Sequence, residues 1–204
     1  MKSSCLFTIS APSGAGKTSL VKALLEKQTD IAVSISHATR DKRPGEVDGK
    51  DYHFVSIEQF EQMVKQDAFL EHAKVFDNYY GTSQQAVEDL LLQGKHVILE
   101  IDWQGAQQVK QKLPDTVAIF ILPPSREALR QRLTGRGTDD EAIIERRMAA
   151  ADREMSHYSD AEYLVINDDF DQALNDLECI IHAQSMKLER QKLKNPELIA
   201  SISG

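Results

Sequence analysis

Residues 11–18 have the composition and spacing of a loop that binds phosphate. They read Ala-Pro-Ser-Gly-Ala-Gly-Lys-Thr and follow an apolar run at residues 5–9. The residues after the loop have the apolar spacing of one buried helix face, at Leu20, Val21, Leu24 and Leu25. Between a strand and a helix, successive backbone N–H groups surround an anion, and the positive end of the helix dipole points at the same charge. The stretch therefore predicts a site for the phosphates of a nucleoside triphosphate, and ATP is the expected one.

Each residue of this loop has an expected part in holding the nucleotide. The general pattern begins with glycine where this chain has Ala11, a departure that is tolerated if the residue keeps a negative φ. Gly14 and Gly16 stand where a Cβ would obstruct the phosphates. The Lys17 ammonium reaches the β- and γ-phosphates, and the Thr18 hydroxyl is a ligand for Mg²⁺. The predicted ATP contacts here are Ala11, Pro12, Ser13, Gly14, Ala15, Gly16, Lys17, Thr18 and Ser19.

Short apolar runs alternate with segments of helical periodicity along much of the chain. The runs predict buried strands at residues 5–9, 97–101, 117–122 and 163–166. This alternation is typical of an α/β fold, in which a parallel sheet has helices on both faces. Ligands bind such folds at the carboxyl ends of the strands, and the phosphate-binding loop is expected there.

Residues 34–94 interrupt this alternation. They contain turn-rich sequence, a short strand candidate at 52–55, and two helix starts of the capping-box type, at Ser56 and Thr82, each with glutamine three residues later. Gly94 is expected to end the second helix. We predict that the segment is an inserted subdomain large enough to hold a second substrate.

Arginine is concentrated in one later segment. Seven of the ten arginines lie in residues 126–153, and Arg136 has a glycine on each side. Phosphoryl transfer demands mainly alignment and charge compensation, which closing arginines supply. We therefore predict that this segment is a mobile lid over the phosphate-binding loop.

The composition fits one enzyme-sized domain with smaller elaborations. The chain has 204 residues, 41% of them hydrophobic, and a formal net charge of −8. The negative charge disfavours nucleic acid as a partner, and no apolar run approaches the length of a membrane span. Cys5 and Cys179 have no paired spacing, and the six histidines have no metal-ligand pattern. We expect a cytoplasmic protein with two buried thiols and no zinc site.

Several short motifs resemble those of the guanylate kinase family in both order and spacing. Beside the phosphate-binding loop they are residues 36–46 with two arginines, Asp-Tyr-His-Phe-Val at 51–55, Asn-Tyr-Tyr-Gly-Thr at 78–82, Glu-Ile-Asp-Trp-Gln-Gly at 100–105, Gly-Arg-Gly at 135–137 and Asn-Asp-Asp at 167–169. The resemblance covers nearly all of residues 4–185. It implies an enzyme of the bacterial type that transfers the γ-phosphoryl of ATP to GMP, giving ADP and GDP, with Mg²⁺ as cofactor.

The resemblance also implies a division of the chain. Its P-loop NTPase core is a parallel sheet flanked by helices, formed by residues 4–33, 95–125 and 155–185. The GMP-binding subdomain is residues 34–94, and the lid is residues 126–154. A helical tail at residues 186–204 has leucines and isoleucines that could dock on the core or on another subunit, as in a homo-oligomer.

Matching positions in the insertion supply the expected GMP contacts. The resemblance assigns the GMP phosphate to Arg40, Arg43, Tyr52 and Tyr80, and paired guanidinium groups suit phosphate oxygens. It assigns guanine recognition to Glu71, Ser36 and Thr82, because one carboxylate can accept from both guanine donors while adenine presents a lone pair at N1. Glu46 is a weaker candidate that orients an arginine.

Positions outside the insertion complete the expected site. Glu100 and Asp102 lie two residues apart at a strand end, and the resemblance assigns both to GMP. Asp102 also resembles the acidic residue that supports Mg²⁺, directly or through water. An acidic strand end that caps the next helix is the open alternative for Asp102.

The lid arginines Arg132, Arg136 and Arg147 are expected to act on the transferring phosphoryl group with Lys17 and Arg40. Arg136 and Asn167 are further ATP contacts, whereas Arg126, Arg130, Arg146 and Arg153 are expected on helix surfaces or in ion pairs.

Two other functions remain open at this point. Scaffold modules with the same outline bind protein partners without catalysis, but they typically lose the phosphate-binding loop that this chain keeps. A kinase of the same fold could act on another phosphorylated acceptor, such as a ribose bisphosphate. The combination of Glu71, Ser36 and Thr82 favours a guanine base.

Overall fold

The computed structural model describes residues 3–75, 77–135 and 141–203. The strands are β1 (Leu6–Ser10), β2 (Ile31–Val33), β3 (His37–Ala38), β4 (His53–Phe54), β5 (Phe69–Val75), β6 (Asn78–Ser83), β7 (His96–Glu100), β8 (Val117–Leu122) and β9 (Tyr163–Ile166). The helices are α1 (Lys17–Lys27), α2 (Ile57–Lys65), α3 (Gln84–Leu92), α4 (Trp103–Lys112), α5 (Arg126–Thr134), α6 (Glu141–Met155), α7 (Phe170–Ser185), α8 (Leu188–Lys194) and α9 (Pro196–Ser203), with a 3₁₀ turn at Tyr158–Asp160.

The central sheet is parallel and has the strand order β2-β7-β1-β8-β9. All five residues of β1 are buried because helices cover both faces of the sheet. On one face, Phe7 and Ile9 pack with the buried sides of α1 and α7. On the other, Leu6 packs with α3 and α4. The predicted class and the four strands are confirmed, with bounds within one residue of those expected, but β9 lies at the edge of the sheet and only its Val165 is fully buried, which corrects the expectation that it is a buried strand.

The inserted segment forms a second sheet with the order β4-β3-β6-β5. Strands β5 and β6 are an antiparallel hairpin with an irregularity between Phe69 and Glu71. Phe60 of α2 stacks on Phe69 at 4.6 Å between ring centroids. The capping box at Ser56 is present as predicted. The predicted start at Thr82 is wrong: Ser83 caps α3, because Thr82 is still paired with Glu71 in the hairpin.

Helices α5 and α6 pack on each other in the arginine-rich segment. Their shared core contains Leu129, Leu133, Ile144, Met148 and Ala151. The expectation of ion pairs is confirmed for two arginines. Arg126 pairs with Asp152, and Arg130 pairs with Glu141 and Glu145.

The two cysteines differ, which corrects the expectation that both are buried. Cys5 is completely buried beside β1, whereas Cys179 is exposed. Helix α7 buries Ala173, Leu174, Leu177 and Ile181, and position 179 falls outside that stripe. Among the described residues there is no helix with both the length and the apolar character needed to cross a bilayer.

Candidate active site

The loop after β1 has the backbone shape of an anion cradle. Gly14 and Gly16 have φ values of 92° and 95°, which favour glycine. A Cβ on Gly16 would lie 2.3 Å from Asn167 Nδ2, so the close approach also requires glycine. Ala11 is not among the positive-φ residues of the described chain, which is the condition under which alanine can replace the first glycine of the pattern.

Lys17 and Thr18 begin α1 directly behind this cradle. Lys17 Nζ donates to the Ile101 carbonyl at 3.4 Å. Burial lowers the pKa of Lys17, and the carboxylates of Glu100, Glu154 and Asp102 oppose that shift. The Thr18 hydroxyl donates to Glu100 Oε2 at 3.3 Å. The carboxyl end of β7 therefore brings its acidic side chain to the phosphate-binding loop.

Glu154 contacts the same loop, although it belongs to none of the motifs in the sequence. The Ser13 backbone N–H donates to Glu154 Oε2 at 3.1 Å. Glu154 lies seven residues after Arg147 in α6, so both lie on one side of the helix. That spacing from a predicted lid arginine was the available signal in the sequence.

A buried polar cluster joins the insertion to α4. Glu71 is only 4% exposed to solvent. The Thr82 hydroxyl donates to Glu71 Oε1 at 2.6 Å. Ser36 Oγ is 3.4 Å from Thr82 Oγ1, so the three predicted guanine contacts lie together. Burial raises the pKa of Glu71 to about 7, opposed by the Thr82 hydrogen bond and reinforced by Asp102. Gly105 leaves room for this carboxylate, since a Cβ there would lie 2.7 Å from Glu71 Oε2.

The predicted phosphate contacts of the insertion gather around Arg40. Its guanidinium donates to both oxygens of Glu46, at 2.7 and 2.6 Å, and lies 4.9 Å from the centroid of the Tyr52 ring. The Arg40 hydrogen bonds lower the pKa of Glu46 to about 2. The Tyr52 and Tyr80 rings meet edge to face at 6.0 Å, and burial raises the pKa of Tyr52, which keeps its hydroxyl a donor. Arg43 is exposed, and its backbone N–H donates to Glu46 at 2.8 Å.

Asp102 takes the alternative left open by the sequence, as a helix cap. Its Oδ1 accepts from the Gly105 N–H at 2.9 Å at the start of α4. The same carboxylate raises the pKa of Glu71 and opposes the lowering of the Lys17 pKa. Asp102 thus lies between the phosphate-binding loop and the polar cluster around Glu71.

The remaining predicted residues that the structure describes lie outside the insertion, on helices α5 and α6 and directly after strand β9. Asn167 is buried, and its Nδ2 donates to the Ala15 carbonyl at 2.7 Å. Arg132 donates from Nη2 to the Asn167 carbonyl at 2.9 Å, while its buried Nη1 has no partner among the described residues. Arg147 is half-buried on α6. Arg136 lies outside the described residues.

Two cavities of about 720 and 440 Å³ are lined by none of these predicted residues. Within the described ranges, no group of three or more His, Cys, Asp or Glu side chains is arranged to hold a metal ion.

A phosphate-binding loop on a parallel sheet, facing an insertion with its own arginine and buried carboxylate, defines a P-loop nucleotide kinase. The guanylate kinase family model matches residues 3–184, and the chain belongs to that family. It is 60% identical over 197 residues to a guanylate kinase of Saccharophagus degradans, covering 97% of this chain and 96% of the relative.

Two further similarities agree with this assignment. The chain is 54% identical to a guanylate kinase of Escherichia coli strain K12 over 204 residues, covering 99% of each chain. It also resembles the crystal structure of guanylate kinase from Anaplasma phagocytophilum, with a TM-score of 0.76 and 34% identity over 92% of this chain and 89% of that one.

Proposed function

We propose that this protein transfers the γ-phosphoryl group of ATP to GMP and releases ADP and GDP. The observation that carries the proposal is the buried Glu71 carboxylate, held by the Thr82 hydroxyl and close to Ser36. The N1–H and the exocyclic amine of guanine are donors that one carboxylate can accept together. A buried carboxylate would face the N1 lone pair of adenine without a partner, so AMP is the disfavoured acceptor.

The reaction needs alignment and charge compensation more than it needs a base. The GMP phosphate is itself the nucleophile, and Arg40, with Arg43 and the tyrosines, would hold it in line with the γ-phosphate. Lys17 would follow the charge on the transferring group. Arg132, whose Nη1 is buried and unpartnered within the described structure, has a donor available for a phosphate oxygen. Arg136 and Arg147 are proposed to join it from the lid.

The donor set beside the loop fits Mg²⁺. The Thr18 hydroxyl and the Glu100 carboxylate converge within 3.3 Å, and Mg²⁺ in nucleotide sites is held by one or two such oxygens together with phosphates and water. When bound, Mg²⁺ would neutralise charge on the β- and γ-phosphates. With one Asp102 oxygen committed to the α4 cap, Glu100 is the better-placed carboxylate, and Asp102 would act through water.

The intact phosphate-binding loop supports catalysis over a protein-binding module without activity. Gly14, Gly16, Lys17 and Thr18 are all present in the cradle geometry. The Glu71 cluster supports GMP over an acceptor that has no base. The protein-binding module and the kinase for another acceptor each predict a different pattern of ADP release in a panel of acceptor substrates.

A coupled assay of ADP release with GMP, AMP, UMP and ribose phosphates tests these possibilities. We expect turnover with GMP and little with the other acceptors. Lys17→Met is the control, since it removes the phosphate cation and leaves the apolar core unchanged, and it should lose nearly all turnover while its circular dichroism stays native. Absence of GMP turnover in the unaltered protein would reject the proposal, and turnover with ribose phosphates would favour the other kinase.

A cytoplasmic location and self-association complete the proposal. ATP and GMP are cytoplasmic metabolites. In the C-terminal tail, Leu188, Leu198 and Ile202 are 64%, 60% and 74% exposed, and an apolar helix face of this kind favours burial against a second copy of the chain. Sedimentation of the full chain and of a chain ending at residue 185 would measure this association.

A further inference from the structure

A carboxylate of the protein itself accepts a hydrogen bond from the phosphate-binding loop. The Ser13 N–H, one of the backbone donors of the loop, is 3.1 Å from Glu154 Oε2. Glu154 lies in the last turn of α6, 141 positions away in the sequence. A loop of this kind is suited to phosphate oxygens, and here a carboxylate oxygen occupies one of its donors.

The charges around this contact place the carboxylate near the cation of the loop. Glu154 is one of the acidic groups that oppose the lowering of the Lys17 pKa. Burial raises the pKa of Glu154, whereas the Ser13 hydrogen bond and Lys17 lower it. Lys17 is the residue that reaches the β- and γ-phosphates in a P-loop. The Glu154 carboxylate therefore lies toward the end of the loop where the terminal phosphates of ATP would bind.

We propose that Glu154 is a placeholder for phosphate, which ATP must displace from Ser13 in order to bind. The inference rests on the proposed function for the identity of the nucleotide. A phosphate oxygen and the Glu154 carboxylate cannot both accept from the same N–H at close range, because two anions repel each other in a partly buried site. Displacement separates the end of α6 from the loop, and so couples the lid helix to occupancy of the ATP site.

A built-in reporter lies directly beyond Glu154. His157 follows α6 and stacks on Trp103 of α4, with ring centroids 3.5 Å apart and planes inclined by 6°. Trp103 is the sole tryptophan of the chain. Release of Glu154 from Ser13 would disturb this stack, so tryptophan emission reports movement at the end of α6.

The test compares the unaltered protein with Glu154→Gln and Glu154→Ala, using a non-hydrolysable β,γ-imido analogue of ATP. The glutamine keeps the size of the side chain and removes its charge. We expect analogue affinity to rise by about five- to tenfold, the difference between a charged and a neutral hydrogen bond, while GMP affinity stays unchanged. Glu127→Gln, an exposed residue of α5, makes the same change in net charge and should leave both affinities unchanged.

Tryptophan emission gives the second measurement. Analogue binding should change Trp103 emission in the unaltered protein, and Glu154→Ala should show part of that change without ligand. Unchanged or weaker analogue binding in both Glu154 variants, with native circular dichroism, would overturn the placeholder inference. If the unaltered protein binds the analogue but does not phosphorylate GMP, the proposed function fails instead, and the two failures are distinguished.

Discussion

The Glu71 carboxylate faces opposite demands in the free and the substrate-bound protein. Burial favours its neutral form and raises its pKa to about 7. The two guanine donors favour the charged form, because a charged acceptor makes the stronger hydrogen bonds. If Glu71 has the proposed role, its burial destabilises the free protein and its charge stabilises bound guanine, and the two effects can be measured separately.

The Glu71→Gln change should alter selectivity more than it alters overall activity. The amide nitrogen that replaces one oxygen would face the guanine donors, whereas the adenine N1 can accept from it. We expect the GMP/AMP ratio of kcat/KM to fall by about tenfold or more, since a hydrogen bond to a charged group contributes roughly 1.5 to 3 kcal/mol. Steady-state kinetics with both acceptors measures the ratio. An unchanged ratio would mean that this carboxylate does not read the base, and the KM for ATP, which binds elsewhere, is the internal control.

The same variant should change how stability depends on pH in the absence of ligand. The pKa of Glu71 is about 7 in the folded protein and near 4.5 when unfolded, so the folded state binds the proton more tightly. The unfolding free energy therefore falls as pH rises from about 4.5 to 7, by about 3 kcal/mol in total. Glu71→Gln lacks this loss and should be the more stable protein at pH 8. Urea denaturation of both proteins at pH 5.5 and 8 measures the difference, and parallel pH dependences would contradict the raised pKa.

At the scale of elements, the core of the sheet was predictable and the insertion was only partly so. Strands β1, β7 and β8 are largely apolar runs because they are buried on both faces, and β9, at the edge of the sheet, is also apolar although only Val165 in it is fully buried. Strands β5 and β6 read Phe-Leu-Glu-His-Ala-Lys-Val and Asn-Tyr-Tyr-Gly-Thr-Ser, which mix polar and aromatic residues without a strict alternation. Their pairing depends on tertiary contacts such as the Phe60–Phe69 stack, and no local pattern encodes it.

The candidate site residues also divide into those that a local sequence pattern predicts and those that depend on tertiary contacts. The phosphate-binding loop could be found because its glycines and lysine have fixed spacing for a stated physical reason. The resemblance predicts that Glu46 orients an arginine without naming it, and the structure identifies that arginine as Arg40. The contact of Glu154 with Ser13 joins positions 141 apart; the spacing from Arg147 indicates only which side of α6 Glu154 lies on, and the partner depends on how α6 packs against the core. Likewise, the local pattern of Thr82 and Gln85 predicts a helix cap at Thr82, but the β5–β6 hairpin retains Thr82 and the cap is Ser83.

Helix α4 should control guanine recognition through a residue that has no side chain. An alanine Cβ at Gly105 would lie 2.7 Å from Glu71 Oε2, so the carboxylate must shift from Thr82. We expect Gly105→Ala to lower kcat/KM for GMP by about tenfold, with an unfolding free energy within about 1 kcal/mol of the original, because improved helix propensity offsets part of the strain. Gln104→Ala, on the exposed side of the same helix, should have no effect. Equal kinetics for the two variants would contradict the argument.

At the scale of the whole molecule, we propose that the insertion and the α5–α6 pair each gain contacts from a different ligand. In the proposed function, Arg40 and Glu71 of the insertion contact GMP, and Arg132 and Arg147 of the α5–α6 pair contact ATP. Full closure should therefore need both nucleotides. We expect small-angle scattering to give a smaller radius of gyration with GMP and the imido analogue together than with either alone. The same radius in the free and doubly liganded protein would rule out closure.

The two cysteines differ in exposure, and this difference allows the stability of the protein to be measured by alkylation. Cys5 is completely buried beside the central strand, its N–H bonded to His96 and its carbonyl to Val97, and burial raises the pKa of its thiol. Cys179 faces solvent on α7. An alkylating reagent should therefore modify Cys179 at once and Cys5 only when the sheet opens globally. The rate at which the doubly alkylated mass appears, divided by the rate for an unprotected thiol at the same pH, would then give the opening free energy at each nucleotide concentration, without a mutation or a dye.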